Sequence, residues 1–166
     1  MFANCTKLTS APELPAKRLE SNCYNCMFEG CTSLTSAPEL PATYLVRECY
    51  HSMFNGCTSL ASAPKLPATT LGWGCYSEMF QGCTSLTSAP ELPAKELIRN
   101  CYQLMFKDCS KLRYVKALFT TSPSEETTKD WLSGVAASGT FVKSKNATWN
   151  VTGVHSIPKG WKIETQ

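Results

Sequence analysis

Cysteine carries most of the chemical potential of this chain, which has ten of them. A thiolate is a nucleophile and a soft metal ligand, and two thiols can close a disulfide. Spacing decides among these uses. Cys5, Cys31, Cys57, Cys83 and Cys109 fall 26 residues apart, as do Cys23, Cys49, Cys75 and Cys101; only Cys26 stands outside the two columns. A periodic position points to packing first, because free cysteine is among the most buried residue types and behaves as a small hydrophobe. Two other readings stay open. An even count permits disulfides in an exported protein, of the Cys31–Cys49 kind across one repeat or the Cys49–Cys57 kind beside a turn. The second is disfavoured: eight residues along a helix and its stop span roughly 10 Å, whereas bridged Cα atoms lie within about 7 Å. Metal binding has only Cys23-x-x-Cys26, with no second pair at zinc spacing. No metal ligands and no cofactor are assigned.

Acid–base chemistry has little material. There are two histidines, His51 and His155, and two aspartates, Asp108 and Asp130. His51 shares a column with Asn25, Ser77 and Gln103 and reads as an exposed residue, while His155 lies in a polar tail loop. A Ser/His/Asp or Cys/His constellation would have to be assembled without a local motif. No P-loop or GxGxxG occurs. The sequence therefore nominates no catalytic residue and no enzyme. Sequons at Asn4, Asn146 and Asn150 matter only in a eukaryotic host.

The elements that must position these residues are copies of one unit. MFEGCTSLTSAPELPATYLVRECYHS, residues 27–52, recurs from Met1, Met27, Met53 and Met79, and a fifth copy begins at Met105. A fixed period of roughly 20–50 residues marks units that bury their apolar faces by stacking on their neighbours. Hydrophobic residues make up 43% of the 166, enough for a continuous core. Charge is sparse and uneven. Residues 1–104 hold seven Lys/Arg against eight Glu, and residues 105–166 hold nine against five acids. The basic excess is dispersed along the tail, unlike the concentrated face of a nucleic-acid binder. No apolar run approaches the roughly 18 residues of a membrane span, and no signal peptide is present. Met1 already lies inside the repeat pattern, so the chain reads as part of a longer protein.

Within a unit, Cys31–Ala37 reads as a short strand, and Pro38 and Pro41 bracket an extended turn. A helix is expected next, N-capped by Thr43. Its inner face would be Leu45, Cys49, Tyr50, Met53 and Phe54, at i, i+4, i+5, i+8 and i+9, and Gly56 would end it. Gly72 and Gly74 predict an irregular helix in the third copy. Strands of successive units should stack in parallel, wound right-handedly. Leu8, Leu34, Leu60, Leu86 and Leu112 would then form one core column, the Phe2 to Phe106 series another and the Leu14 to Leu92 series a third. After Leu112 the pattern changes. Strands are expected at Arg113–Phe119, 139–143 and 161–164, and a helix from Ser124 to about Val135 with Trp131 and Leu132 turned inward. The expected organisation is an α/β right-handed superhelix over residues 1–122 and an α+β cap over 123–166.

The repeated GCTSLTSAPELP segment, preceded by an aromatic-rich stretch ending MF-x-G, resembles the BspA-like leucine-rich repeats of Bacteroidetes surface proteins. Gly30, Cys31, Ser33, Leu34, Thr35, Ser36 and Pro41 match that pattern. Met53-Phe54 stands for its Ala-Phe and Ala37 for its isoleucine, and each repeat is three residues longer. The WLSGVAASGTFVK…IPKGW tail resembles the segment that closes many of these proteins. The resemblance implies a leucine-rich-repeat-like solenoid that is secreted or held at the cell surface, with adhesion to a host or bacterial protein or glycan. The candidate contact columns lie on the sheet side: Thr9, Thr35 and Thr87 with Ala61, and Glu13, Glu39 and Glu91 with Lys65. The other reading is a structural spacer with no ligand of its own.

Overall fold

A computed structural model describes residues 1–166. Successive units stack in parallel at the offset of the sequence repeat: Ser10 bridges Ser36, Ser36 bridges Ser62, Tyr44 bridges Thr70 and Ser88 bridges Tyr114. Equivalent side chains therefore lie one above another. Phe2, Phe28, Phe54, Phe80 and Phe106 form a column of near-parallel rings with centroids 5.5–5.6 Å apart. Tyr24, Tyr50, Tyr76 and Tyr102 form a second, at 5.8–6.0 Å. Each such pair contributes about 0.5–1.5 kcal/mol beyond the apolar area it buries. Leu34, Leu60, Leu86 and Leu112 are fully buried beside them.

The helix expected after Thr43 is absent. α-Helix occurs only at α1, Glu125–Thr128. In its place each unit has a string of turns with a left-handed residue at every fourth position. These are Glu48, Ser52 and Gly56 in one unit, Gly74, Glu78 and Gly82 in the next, and Asn100, Leu104 and Asp108 in the third, with φ from 50° to 72°. The N–H groups of the string divide in two. Glu48, Tyr50, Ser52, Phe54 and Gly56 donate to the carbonyls of Trp73, Cys75, Ser77, Met79 and Gln81 in the following unit, at 2.8–3.1 Å. The intervening His51, Met53, Asn55 and Cys57 donate three residues back, at 3.1–3.3 Å. An α-helix directs every interior N–H to its own i−4 carbonyl; here alternate ones tie unit to unit.

The misreading has a physical cause. The apolar pairs Cys49-Tyr50 and Met53-Phe54 recur every four residues. Four residues of α-helix overshoot a full turn by only about 40°, so two turns of sequence fit either geometry. What separates them is the left-handed slot. Gly, Asn and Asp, which tolerate that conformation, fill most of its positions.

The strand expected at Cys31–Ala37 contracts to one bridging residue, Ser36, paired with Ser10 and Ser62. Its first half is turn: the Thr32 N–H donates to Gly30 O at 2.9 Å and the Leu34 N–H to Cys31 O at 3.0 Å. Its second half runs into Pro38 and Pro41, which have no N–H to extend a ladder. Thr43 lies at a bend just before the Tyr44 bridge, where its carbonyl accepts the Thr69 N–H at 3.1 Å.

Where the prolines stop, strands appear. β1 (Tyr114–Ala117), β2 (Thr140–Lys143) and β3 (Lys162–Thr165) form a parallel sheet in the order β1-β2-β3, with Tyr114 opposite Thr140 and Thr140 opposite Lys162. The expected tail helix is a single turn, α1. The chain leaves it at Lys129, and Asp130 and Gly134, at φ 50° and 75°, resume the string of turns. The bonds between units thus continue past residues 122–123, where the sequence suggests a boundary: Leu104, Phe106 and Asp108 donate to Lys129, Trp131 and Ser133 at 2.8–2.9 Å. Beyond β2 the stack is closed by aromatic side chains. Phe119 and Trp149 stack at 5.2 Å, and Trp131 meets Phe141 edge-on at 6.0 Å. Buried indoles need acceptors. Trp131 Nε1 donates to Ser156 O at 2.9 Å and Trp161 Nε1 to Ala136 O at 2.8 Å. The Asp130 N–H, next in the line of donors, is received by His155 Nδ1 at 3.1 Å. No helix is long and apolar enough to cross a membrane.

Candidate functional site

The two columns nominated on the sheet side are exposed at every position: Thr9, Thr35, Ala61 and Thr87, and Glu13, Glu39, Lys65 and Glu91. Stacking places them in register. The N–H and Oγ1 of Thr35 both donate to Thr9 O at 3.2 Å, and Thr87 O accepts the Arg113 N–H at 3.0 Å. The charged column runs along two shallow grooves walled by prolines of adjacent units. Glu13 and Glu39 share one groove with Pro15, Pro38 and Pro41. Lys65 and Glu91 share the other with Pro64, Pro67, Pro90 and Pro93. Lys116 continues the column, with its Nζ 2.8 Å from Glu91 Oε2. It does so because β1 replaces the proline link with one residue fewer: Ser88 faces Tyr114, but Leu92 faces Ala117. The arrangement offers small hydroxyls, rigid prolines and alternating charge.

All ten cysteines are free thiols. Cys31, Cys57, Cys83 and Cys109 donate their S–H to the carbonyls of Phe2, Phe28, Phe54 and Phe80 at 3.0–3.2 Å. Each thiol thereby gives a second hydrogen bond to a phenylalanine carbonyl that already accepts a backbone N–H. Burial pushes Cys57 and Cys109 up to about 12, and does the same to Cys49 and Cys101. Cys75 and Cys83, more deeply enclosed, are also raised well above the ordinary thiol range. Cys26 is raised to about 11, first by burial and then by Glu29. A reactive cysteine needs the opposite shift, toward thiolate at neutral pH, and none of these seven thiols is moved that way. No three His, Cys, Asp or Glu side chains converge in a way that could hold a metal ion.

One polar group was not anticipated from sequence. Arg47 lies over the Trp73 ring, with Cζ 4.2 Å from its centroid, and its Nε donates to Glu48 Oε1 at 3.3 Å. His51 Nε2 is 3.9 Å from Glu78 Oε1. Ser52 and Asn55 donate to Glu78 Oε2 at 3.3 and 3.5 Å. The available signal was Trp73, the only tryptophan within the repeats, flanked by Gly72 and Gly74. The sequence pattern registers the glycines only as helix irregularity, and as helix residues these side chains would not have been brought together. Comparison with protein-family models, with curated proteins and with solved structures finds no match.

Proposed function

We propose that the chain is a non-catalytic binding segment, built as a leucine-rich-repeat-like solenoid and displayed at a cell surface, that presents a repetitive face to a protein or glycan. The observation that carries this reading is the register of the exposed columns. Thr9, Thr35, Ala61 and Thr87, and Glu13, Glu39, Lys65 and Glu91, recur one per unit along a stack whose units are locked to each other by backbone bonds. A rigid periodic surface engages an extended partner through many weak contacts, and immobilising such a surface costs little conformational entropy on binding. Repeats of small hydroxyl side chains also permit close approach. The resemblance to surface adhesion proteins points the same way. The test is an array of immobilised glycans and extracellular-matrix proteins, probed with the wild-type chain and with Thr→Ala and Glu→Gln variants along both columns. Binding that the variants lose supports the reading. Binding that survives both sets of substitutions removes these columns from it, and an array that captures nothing favours a spacer.

A further inference from the structure

β3 ends its sheet, and the outer edge of β3 has no partner. The Lys162 N–H donates to Gly139 O at 2.9 Å and the Gln166 N–H to Lys143 O at 3.0 Å. Lys162, Glu164 and Gln166 therefore turn their backbone groups to β2. Direction alternates along a strand, so those of Ile163 and Thr165 point the other way. No strand follows there, and no turn or loop bonds to either residue. Within the repeats, prolines remove such donors; β3 contains none. An open row of this kind is a template for pairing with another chain. None of the threonine or charged column residues belongs to it, so it stands apart from the face proposed above.

The side chains select the occupant. A second β3, antiparallel across a two-fold axis, can meet the first in three registers that set outward backbone groups opposite each other. Thr165 opposite Ile163 places Glu164 against the partner's Glu164, and like charges directly opposite destabilise. Thr165 opposite Thr165 leaves Lys162 outside the paired strands. Ile163 opposite Ile163 places Lys162 against the partner's Glu164 and Glu164 against the partner's Lys162, which matches both charges. A lone lysine on an edge repels a second chain. Here the two charges already attract each other along one strand, with Lys162 Nζ 2.7 Å from Glu164 Oε1. Their side chains are 72% and 43% exposed, free to exchange one partner for the equivalent one. Ile163 packs only partly against the core and would be covered by its copy. The loop joining β2 to β3 also brings the exposed Val151 and Val154 to this end of the stack. We infer that two copies of the chain associate tail to tail through β3, with Ile163 on the two-fold axis and Lys162 paired to the partner's Glu164.

A short strand edge belongs to the weak, transient class of interface, so the test is sedimentation equilibrium of the full chain up to about 1 mM. Reducing conditions keep the exposed Cys5 and Cys23 from cross-linking, and about 0.15 M salt screens the basic excess of the tail. The mass should rise toward that of a dimer and stop there. Lys162→Glu alone and Glu164→Lys alone should each weaken association by about tenfold or more, because each sets like charges opposite at both symmetry-related positions. An equimolar mixture of the two variants should restore it, since every Glu on one chain then meets a Lys on the other. The chain carrying both substitutions should associate like the wild type. A monomer at every concentration overturns the inference. So does a dimer indifferent to the single variants, a mixture no tighter than its components, or a mass that grows past the dimer, which would mean copies stacking tail to Met1 end.

Discussion

Gly72→Ala is the substitution that most sharply separates a string of turns from a helix. A Cβ at position 72 would sit 2.3 Å from Val46 C, 2.4 Å from Val46 O and 2.7 Å from Val46 Cα. All three are backbone atoms of the preceding unit and cannot rotate away. Carbon atoms pack best at 3.5–4.0 Å, so the two units must part by about 1 Å. The bonds nearest the clash are Leu45 N–H to Thr70 O and Glu48 N–H to Trp73 O, both 2.9 Å. Overpacking costs about 1–3 kcal/mol and each weakened bond about 1 kcal/mol, so Gly72→Ala should destabilise by about 2–4 kcal/mol. Gly74→Ala is the control. Its φ is +60°, and its added Cβ meets only the flexible Glu48 Cγ, at 3.3 Å. It should cost about 1–2 kcal/mol, the ordinary penalty of a left-handed residue with a side chain. In a helix both changes would instead stabilise, by about 1 kcal/mol each. Urea denaturation followed by tryptophan fluorescence gives the comparison. Hydrogen exchange of the Leu45 and Glu48 amides localises it, since repeat arrays can open one unit at a time. Gly72→Ala at or above wild-type stability, or less costly than Gly74→Ala, would refute the stacking geometry described above.

Leu104 occupies a left-handed slot at φ 54°, so Leu104→Asn should raise stability by about 1 kcal/mol, seen as a melting temperature higher by about 2–4 °C for a chain of this size; a fall would argue for helix, where asparagine is the poorer former. Thiol labelling of native protein should be fast at Cys5 and Cys23, which are exposed, and blocked at the seven buried cysteines. In denaturant all ten should react; fewer would reveal disulfides. The chain should also be labile to alkali. The thiols of Cys49, Cys57, Cys101 and Cys109 ionise near 9.0 when unfolded and near 12 when folded. The folded state therefore holds protons that the unfolded state gives up, and this contribution is intact below pH 9 and lost as pH rises toward 12. Each thiol removes about 1.4 kcal/mol per pH unit over that window, so the urea midpoint should fall steeply between pH 9 and 11. A flat profile would show that these thiols are not buried.

The parts of the fold legible in sequence were those fixed by translation along the stack. The 26-residue period sets which residues share a column, and columns follow from counting: the Phe, Leu and Cys columns needed no knowledge of the backbone. What the period cannot supply is the path of the chain within one unit. There the apolar spacing at Cys49, Tyr50, Met53 and Phe54 suits two backbones, and only residue preferences at Asn22, Gly56, Gly82 and Asn100 hint at the left-handed one. Those hints were diluted by Glu48, Ser52, Glu78 and Leu104, which occupy the same slots against preference. The polar group around Trp73 was hidden for the same reason. Its side chains come from two units and meet only once the string of turns is known.

The string of turns has a further consequence in its direction. At each of the four interfaces from Asn22 to Asp108, five bonds run from a donor in one unit to an acceptor in the next, and none runs back within the string. The carbonyls of these bonds face the Met1 end and their N–H groups face the tail. Peptide dipoles, each about 3.5 D, largely cancel between the strands of a sheet but add when aligned. The stack therefore has electrical poles, negative toward Met1 and positive toward the tail, although its repeats contain no helix. The lone pair of His155 Nδ1 meets the positive pole at Asp130 N–H. Each further unit of the same kind would lengthen this moment by one repeat, giving the stack an electrostatic polarity that grows with its length.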